Sequence, residues 1–419
     1  MKNERWPWSP IGDLFQIGAG KTMSAAARNG SRKTPFLRTS NVLWDEIDLA
    51  TVDEMVISPI ELAEKSLQAG DLLVCEGGEI GRAAIWTGEV KTMSFQNHLH
   101  RLRPIVDGVE PRFYLYFLQS AFTQLGLFEG AGNKTTIPNL SRNRLAALEV
   151  PRPPLEEQRA VAAALSHVRA ALQLHDRAAK LAVELKDAAM QHLLTRGLRG
   201  EPQKDSDLGP IPRSWDIAKL GDICSLSTGT TPSTSRADYY AGDVPFIKTA
   251  DIVNNRITEA NTHISDQAVE DYGLKLFPPG TVLMAMYGQG KTRGQASLLE
   301  IAAATTQNAA AIQASEEIEP AFLWHYLRAN YARLRGIGSL GHLSHLNLGY
   351  LRELSVLKPP LDDQKEIAAM LDLLNQKIDL HKEKRVTLEQ LFQVLLQQLM
   401  TGVLRPADLD LDTVRAEAS

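Results

Sequence analysis

The side chains in this chain that could do chemistry are gathered in polar loops rich in Lys, Arg, Ser, Thr, Asn and Gln. Such loops occur at residues 21–41 and 132–144 in the first half, and at residues 228–236, 248–256 and 287–295 in the second half. These side chain types bind phosphate oxygens and make paired hydrogen bonds to purine edges in the major groove of DNA. Each loop taken alone is more typical of a solvated surface turn, but their recurrence in both halves favours DNA. The predicted DNA-binding residues are Lys21, Arg32, Lys33, Arg38, Thr39, Asn41, Lys134, Arg142, Arg144, Lys248, Thr249, Arg256, Tyr287, Gln289, Lys291 and Arg293.

Two Gly-Lys-Thr strings, at residues 20–22 and 290–292, resemble the end of a phosphate-binding P-loop. A P-loop requires a glycine five residues before the Gly-Lys pair, and these positions hold Phe15 and Ala285. The two strings also fall at non-equivalent places in the chain. An NTPase or nuclease that uses these loops is therefore an alternative, but it is not the favoured one.

Two histidine pairs have the spacing of metal ligands, His98 with His100 and His342 with His345. Neither pair has an evident third ligand, so we predict no metal site. We find no arrangement of Ser, His and Asp or of Cys and His that could serve as a nucleophilic site, and we predict no catalytic residue.

The segments that must position these loops occur twice in the sequence. Residues 153–199 return, 206 positions later and without a gap, as residues 359–405. The globular segments before them match more loosely. This indicates one shared scaffold that carries two surfaces with different side chains. The matched positions include Leu155/Leu361, Gln158/Gln364, His175/His381 and Arg199/Arg405, and more loosely Trp8/Trp215, Phe36–Thr39/Phe246–Thr249 and Gln96-Asn97/Gln307-Asn308.

Both repeated segments have the 4-3-4-3 spacing of a heptad seam, which predicts two long helices of roughly 45 residues, each about 65 Å long. The seams most simply pair with each other, antiparallel, inside one chain; pairing with a second chain in a homodimer is the alternative. His175 and His381 lie on the seams, where a polar layer that fixes register is favoured over a metal site. The seam positions are Val161, Leu165, Val168, Leu172, His175, Ala179, Ala182, Lys186, Ala189 and Leu193, and Ile367, Leu371, Leu374, Ile378, His381, Arg385, Leu388, Phe392, Leu395 and Leu399.

The globular segments read as short strands and a few helices. Residues 72–74 and 282–284 are predicted to be buried strands, because each follows a glycine turn. Residues 111–122 and 320–334 are predicted to be amphipathic helices whose aromatic faces pack in a core. The polar stretch at residues 200–213 has the composition of a linker.

Bulk properties set limits on the class of protein. A chain of 419 residues exceeds what one core fills, so two or three domains are expected. Its net charge of −5 carries no signature of nucleic-acid binding, so a basic footprint must be local. Cys75 and Cys224 occupy non-matching places, which disfavours disulfides. No stretch predicts a membrane span or a signal peptide, and we expect a cytoplasmic protein.

The order globular–helix–globular–helix, with PPLEEQ and PPLDDQ opening the helices and Thr-x-x-Leu-Arg closing them, resembles the specificity subunit of type I restriction–modification enzymes. The resemblance implies an α+β fold, in which two globular α/β target-recognition domains are separated by two long antiparallel coiled-coil helices with pseudo-twofold repeat. Each domain would read one half of a split double-stranded DNA target. The helices would set the distance between the half-sites and dock two methyltransferase subunits, and motor–nuclease restriction subunits would join the complex.

The same resemblance implies that this chain is non-catalytic and holds no cofactor, because S-adenosylmethionine, Mg²⁺ and ATP belong to the partner subunits. The chain also lacks an Asn-Pro-Pro-Phe/Tyr string for adenine methylation. A coiled-coil interaction protein without a DNA role is a further alternative. The expected boundaries are 1–152 for the first recognition domain, 153–199 for the first helix, 200–214 for a linker, 215–358 for the second domain, 359–405 for the second helix and 406–419 for a tail.

Overall fold

The computed structural model describes residues 5–126, 139–288, 291–336 and 346–409. The chain divides into two compact units. Unit 1 comprises Met1–Arg177 and Lys382–Ser419, and unit 2 comprises Ala178–His381. Each unit therefore holds one globular domain together with part of each long helix.

The described part of the chain contains strands and helices in a similar, though not identical, order in the two halves. The first half has strands β1 (Trp8–Pro10), β2 (Phe15–Ala19), β3 (Lys33–Leu37), β4 (Val42–Leu43), β5 (Glu46–Ile47), β6 (Asp53–Val56), β7 (Leu72–Cys75), β8 (Ala83–Ile85), β9 (Ser94–Phe95), β10 (Leu99–Pro104) and β11 (Glu149–Pro151), and helices α1 (Ala25–Asn29), α2 (Pro59–Lys65), α3 (Pro111–Thr123), α4 (Arg142–Ala146) and α5 (Leu155–Arg196).

The second half has strands β12 (Gln203–Lys204), β13 (Ile211–Pro212), β14 (Asp216–Lys219), β15 (Cys224–Thr228), β16 (Val244–Ile247), β17 (Arg256–Ile257), β18 (His263–Ile264), β19 (Val282–Ala285), β20 (Ala296–Leu299), β21 (Ala304–Thr305), β22 (Ala309–Ala314) and β23 (Ser355–Lys358), and helices α6 (Leu220–Ile223), α7 (Asp266–Tyr272), α8 (Pro320–Ala329), α9 (Tyr331–Gly336), α10 (Leu348–Arg352) and α11 (Leu361–Thr401).

Each globular domain is built on two sheets. Among the described residues, the first domain has an antiparallel sheet of order β2-β10-β7-β8 and a second sheet of order β6-β3-β9. The second domain repeats this plan as β15-β22-β19-β20-β17 and β18-β16-β21. In the smaller sheet β3 runs parallel to β9, and β16 runs parallel to β21. Strands β7 and β19 are buried at every position, as the continuous apolar runs predicted.

The aromatic helices form the centre of each core. Helix α3 buries Phe113, Tyr116 and Phe117 against apolar side chains of α5 and α11 in unit 1, and α8 does the same in unit 2. Burying one such side chain stabilises the fold by about 1.5–3 kcal/mol. The prediction that these aromatic faces belong to the core is confirmed.

The positions of the heptad seams, with one exception, are buried or half-buried within each unit. In unit 1, Leu165 and Val168 of α5 share a core with Phe392 and Leu395 of α11. In unit 2, the later part of α5 shares a core with the earlier part of α11. This exchange of halves is the pattern of antiparallel pairing inside one chain. Arg385 departs from the predicted seam and is exposed, because a guanidinium is strongly solvated.

The glutamine of PPLEEQ explains why this helix opening is so specific. Gln158 is fully buried, and its Oε1 accepts a hydrogen bond from the backbone N–H of Glu110 at 2.9 Å. Its Nε2 donates to the carbonyl oxygens of Gly108 at 3.0 Å and Pro153 at 2.8 Å. One side chain thereby joins the start of α5 to the start of α3.

The glutamine of PPLDDQ makes the same three bonds in unit 2. The Oε1 of Gln364 accepts from the N–H of Glu319 at 2.7 Å, and its Nε2 donates to the carbonyls of Glu317 at 3.1 Å and Pro359 at 2.8 Å. The repeated motif is therefore a joint between each globular domain and its long helix.

Several local predictions need correction. The predicted helix 320–334 is two helices, α8 and α9, because the side chain of Asn330 donates to the Tyr326 carbonyl at 2.9 Å and closes α8. The stretch predicted to be a linker contains the hairpin of β12 and β13.

The strand register also shifts two of the loose matches in the repeat. Trp8 lies opposite Pro151, and Ile217 lies opposite Leu357, so the buried counterpart of Trp215 is Trp6 and not Trp8. In the same way, the residues that follow the parallel strands β9 and β21 are 96–97 and 306–307, one residue away from the match drawn from the sequence. No described helix is both long enough and apolar enough to span a membrane.

Candidate nucleic-acid interface

A locked turn after strand β3 presents Arg38 at the surface of unit 1. The buried side chain of Asn41 accepts a hydrogen bond from the backbone N–H of Arg38 at 2.8 Å. Its amide nitrogen donates to the carbonyl oxygens of Asp48 at 2.9 Å and Thr51 at 2.8 Å. Asn41 is only 3% exposed. The amide of Asn41 thus holds the turn, and its predicted contact with DNA stays a prediction.

Unit 2 repeats this turn after β16. The carboxylate of Asp251 accepts from the backbone N–H of Lys248 at 2.9 Å and from the amide of Asn261 at 2.9 Å. Lys248 is exposed, like Arg38. We name residues 38–41 and 248–251 the reading turns. One mount thus carries a guanidinium in unit 1 and an ammonium in unit 2.

Both cations can exchange their present neighbours for a ligand. Arg38 pairs with Asp53 at 2.8 Å, and both side chains are about half exposed. Such exposed ion pairs contribute about 0–1 kcal/mol, so a phosphate or a guanine edge can replace the carboxylate. The Lys248 ammonium lies 6.0 Å from the ring of Tyr240, which is a weak cation–π contact.

Parallel pairing brings further loops beside each reading turn. The N–H of Gln96 donates to the Leu37 carbonyl at 2.9 Å, and the N–H of Lys21 donates to the Phe95 carbonyl at 2.9 Å. In unit 2 the hydroxyls of Thr249 and Thr306 lie 3.2 Å apart. The carboxyl ends of neighbouring parallel strands therefore gather three loops at one edge of each unit.

The first Gly-Lys-Thr string has a structural explanation. A Cβ atom on Gly20 would lie 2.3 Å from the carbonyl oxygens of Phe95 and Gln96, which is far inside contact distance. A Cβ atom on Gly229 would lie 1.7 Å from the carbonyl of Thr305. Glycine is required at both positions for close approach of two backbones, and not for phosphate binding.

Lys21 is committed to an ion pair. Its ammonium lies 2.7 Å from both carboxylate oxygens of Glu61, and its side chain is 16% exposed. The bonds from Lys21 and Ser58 lower the pKa of Glu61 to about 2. Unit 2 has Thr230 and Ala268 at these places, so both partners changed together. Lys21 holds helix α2 in place, which makes it a poor candidate for DNA.

Arg256 is likewise engaged elsewhere. Its guanidinium bonds to Glu300 and to Asp372 of α11, and it lies 5.2 Å from the ring centroid of Trp324. Two carboxylates already neutralise it. Arg256 thus joins the second domain to the long helix, and its predicted contact with DNA stays a prediction.

The other predicted residues of unit 1 lie on exposed surface. Arg32 and Lys33 stand at the start of β3, and Arg142 and Arg144 stand on α4. Thr39 is half-buried beside Arg38 in the reading turn. In unit 2, Thr249 holds the matching place. Lys134 and Gln289, like His342 and His345, lie outside the described residues.

The loop that follows β19 carries the last three candidates. Tyr287 is 41% exposed. The carbonyl of Lys291 accepts from the Tyr331 hydroxyl at 2.6 Å, and the guanidinium of Arg293 donates to the carbonyl of Arg335 at 3.0 Å. Helix α9 thus supports this loop. Binding of DNA by any of these residues stays a prediction.

Sequence reasoning missed the loops after β9 and β21. His98 is exposed, with its Nδ1 3.5 Å from Glu76, while His100 is buried with its Nε2 2.7 Å from the Leu140 carbonyl. The two histidines of this pair thus lie in different surroundings, and the described residues contain no cluster of metal ligands. The parallel pairing of β3 with β9 brings the loop after β9 beside the turn that holds Arg38, but a strand of two residues leaves a weak signal in the sequence.

Known proteins share this architecture. The family model described as type I restriction modification DNA specificity domain matches residues 3–184 and 212–390. The putative type I restriction enzyme MjaX specificity subunit of Methanocaldococcus jannaschii is 23% identical over 415 residues, covering 96% of this chain and 94% of that protein. The type I restriction-modification S subunit from M. genitalium is 16% identical with a TM-score of 0.61, covering 95% and 97%. A chain from a study of complex assembly in a type I R-M system is 20% identical with a TM-score of 0.54, covering 95% and 98%.

The duplicated sheets and long helices define a two-domain recognition fold. Both copies of the family domain fall within the chain and together match most of it. The chain belongs to the type I restriction modification DNA specificity family.

Proposed function

We propose that this chain is the non-catalytic DNA-recognition subunit of a type I restriction–modification complex, in which each unit reads one half of a bipartite double-stranded target. The observation that carries the proposal is the reading turn, which occurs twice, closed each time by a bond from the backbone N–H of its first residue to the side chain of its fourth, and with a different exposed cation, Arg38 or Lys248. Arg or Lys on a rigid mount can bond guanine O6 and N7. The same turn with a different exposed side chain suits two half-sites of different sequence.

Phosphate contacts would supply most of the affinity. Arg32 and Lys33 at the start of β3, with Arg142 and Arg144 on α4, are exposed cations in unit 1. At the positions of α4, helix α10 has Leu348 in place of Arg142. Affinity should therefore fall steeply with salt, and unit 1 should contribute more of that salt dependence than unit 2.

The long helices would set the distance between half-sites and dock two methyltransferase subunits. In unit 2, Leu181, Leu185, Leu373 and Leu380 are more than half exposed on the outer faces of α5 and α11. Exposed aliphatic side chains grouped in this way favour a protein partner. Restriction subunits with motor and nuclease activity would join through the same complex. S-adenosylmethionine, Mg²⁺ and ATP would be bound by these partners, and the complex would act on DNA in the cytoplasm.

Methylome sequencing tests the proposal directly. The chain is expressed with its methyltransferase in a host that lacks other adenine methylation, and modified adenines are mapped. We expect one split motif with a fixed gap. Absence of a motif, or a single continuous one, would contradict bipartite reading.

Domain replacement separates the two readers. Replacing residues 1–150 with another recognition domain should change one half-site and leave the other unchanged. Lengthening both helices by one turn should change the gap without changing either half-site. An unchanged gap would refute the role of the helices as a spacer.

Partner docking has its own test. Leu373→Glu with Leu380→Glu should abolish copurification with the methyltransferase, while Val253→Glu, at another exposed apolar position of unit 2, should not.

ATP binding by the isolated chain that is lost on Lys291→Ala would instead favour the NTPase alternative. A complex that leaves no footprint on DNA would favour an interaction protein.

A further inference from the structure

A buried polar cluster fastens each globular domain to both long helices, and the two clusters differ in chemistry. In unit 1 the hydroxyl of Tyr116, on α3, bonds to the carboxylate of Asp45 and lies 3.2 Å from the Ser166 hydroxyl on α5. The Tyr116 ring meets Phe392 of α11 edge to face, with centroids 6.0 Å apart. Arg112 completes the cluster, 2.8 Å from Asp45. We name Tyr116, Ser166 and Phe392 the latch of unit 1.

In unit 2 the corresponding cluster is charged. His325 of α8 is fully buried, and its Nε2 lies 2.9 Å from Asp372 of α11. Asp372 also bonds to Arg256 of the second domain. Burial lowers the pKa of His325, and the charge of Lys186, a residue of α5 that is 9% exposed, acts in the same direction. We name His325, Asp372 and Lys186 the latch of unit 2.

The two latches occupy equivalent positions. Tyr116 and His325 each follow the first proline of their helix by five residues. Ser166 and Asp372 each follow the joint glutamine by eight residues. Lys186 and Phe392 each follow the first residue of α5 or α11 by 31 residues.

All three members of the latch therefore changed together. A phenol, a hydroxyl and a phenyl ring in one unit are an imidazole, a carboxylate and an ammonium in the other. The first member belongs to the globular domain, whereas the other two belong to the long helices. Each domain is matched to the helix surface that it covers.

The residues around the two latches also differ between the units. Arg112 fills the space beside Asp45 in unit 1, whereas Ala321 at that position in unit 2 lines a cleft of about 660 Å³. Although burial acts to raise the pKa of Asp372, the bond from His325 and the charge of Arg256 hold that pKa below its ordinary value. Asp372 is thus ionised and satisfied by its own domain.

We propose that the latch is a docking code that decides which recognition domain can occupy which end of the helix pair. The second domain placed on the first helix surface would bury His325 against Ser166 and Phe392, with no carboxylate in reach. The first domain placed on the second surface would set Tyr116 against Asp372 and Lys186. Buried polar groups that lose their partners in this way are destabilising. The code extends the proposed function, on which its consequence for exchange of DNA specificity rests.

Four full-length proteins test the code. The first is the native chain, and the second carries Ser166→Asp and Phe392→Lys. The third replaces residues 6–152 with a second copy of residues 215–358, and the fourth is that chimera with the same two substitutions. The substitutions should lower the Tm of the native chain by roughly 10 °C and raise the Tm of the chimera by a similar amount. A fall in both backgrounds, or no change in either, would overturn the code.

A smaller cycle in the native chain decides the matter if both chimeras fail to fold. Asp372→Ser should lower the Tm, and adding His325→Tyr should recover part of the loss, because it recreates the Tyr116–Ser166 pair. Strictly additive losses would overturn the code. These thermal measurements do not depend on DNA. A native complex that gives no split methylation motif would defeat the proposed function and leave the docking result standing.

Discussion

The reading turns and the latches show how two copies of one design diverge in different ways. The reading turns keep their internal hydrogen bonds, with Asn41 or Asp251 closing the turn, and change the exposed residue, Arg38 or Lys248. The latches keep their positions and change every side chain. At the surface, the conformation of the turn is preserved while its exposed side chain differs. In the core, a contact varies only when all its members vary together, because a buried polar group needs its partner.

The largest expected effect concerns the charged latch. Asp372→Ala removes the carboxylate from His325 and leaves Arg256 with Glu300 alone, so we expect the free energy of unfolding to fall by about 3 kcal/mol. The matched change in unit 1, Ser166→Ala, should cost less than about 1 kcal/mol, since Tyr116 keeps its bond to Asp45. Chemical denaturation of both variants measures the difference. Equal losses would remove the distinction between the latches.

The glutamine joints should behave alike in both units. Gln158→Leu and Gln364→Leu each leave one backbone N–H and two carbonyls without their buried partner, and we expect each to cost about 2 kcal/mol. Denaturant unfolding of the two variants provides the comparison. A loss confined to one unit would show that the repeated motif has unequal roles.

The reading turns should affect DNA affinity without affecting stability. Arg38→Ala should weaken binding to the cognate target by about 1–3 kcal/mol and relax the sequence at one half-site, and Lys248→Ala should do the same at the other. Arg213→Ala, outside both turns, serves as the control. Binding titrations and methylome maps give the readout. Loss of selectivity at both half-sites from one substitution would contradict independent reading.

The smallest effect is a pH dependence in unit 1. The pKa of Glu61 is about 2 in the folded protein, below the ordinary value of about 4.3 in an unfolded chain. The Lys21–Glu61 pair therefore stabilises the fold fully above that ordinary value, and its contribution is lost as the pH falls towards 2. The Tm difference between the native chain and Glu61→Gln should shrink over this window. A constant difference would mean that the pair is not formed in solution.

Much of the architecture could be predicted from periodicity and repetition. The heptad positions from Val161 to Leu193 and from Ile367 to Leu399 identified the helices, which in the structure end just before Gly197 and Gly402, two glycines with positive φ. The aromatic stripe of α3 identified a core element. These signals are local, so each can be recognised without knowledge of the rest of the fold.

The bonding partners of the candidate site residues could not be predicted from the sequence, for a physical reason. Lys21 and Arg256 have the side chains of DNA contacts, and in the structure each is held by groups distant along the chain, Glu61 for Lys21 and Asp372 for Arg256. Residue type shows what a side chain can bond. It does not show which partner the fold brings within reach.

Sequence alone therefore determined the duplication, the long helices, the glutamine joints' positions and the family resemblance, because repetition and helical spacing are properties of the chain itself. Tertiary structure decided which polar residues are exposed and which are bonded to other groups of the protein. Parallel pairing of β3 with β9 gathered the loops around Arg38, and helix packing set Tyr116 against Ser166 and His325 against Asp372. Those pairings join residues tens of positions apart, and only burial and distance select them.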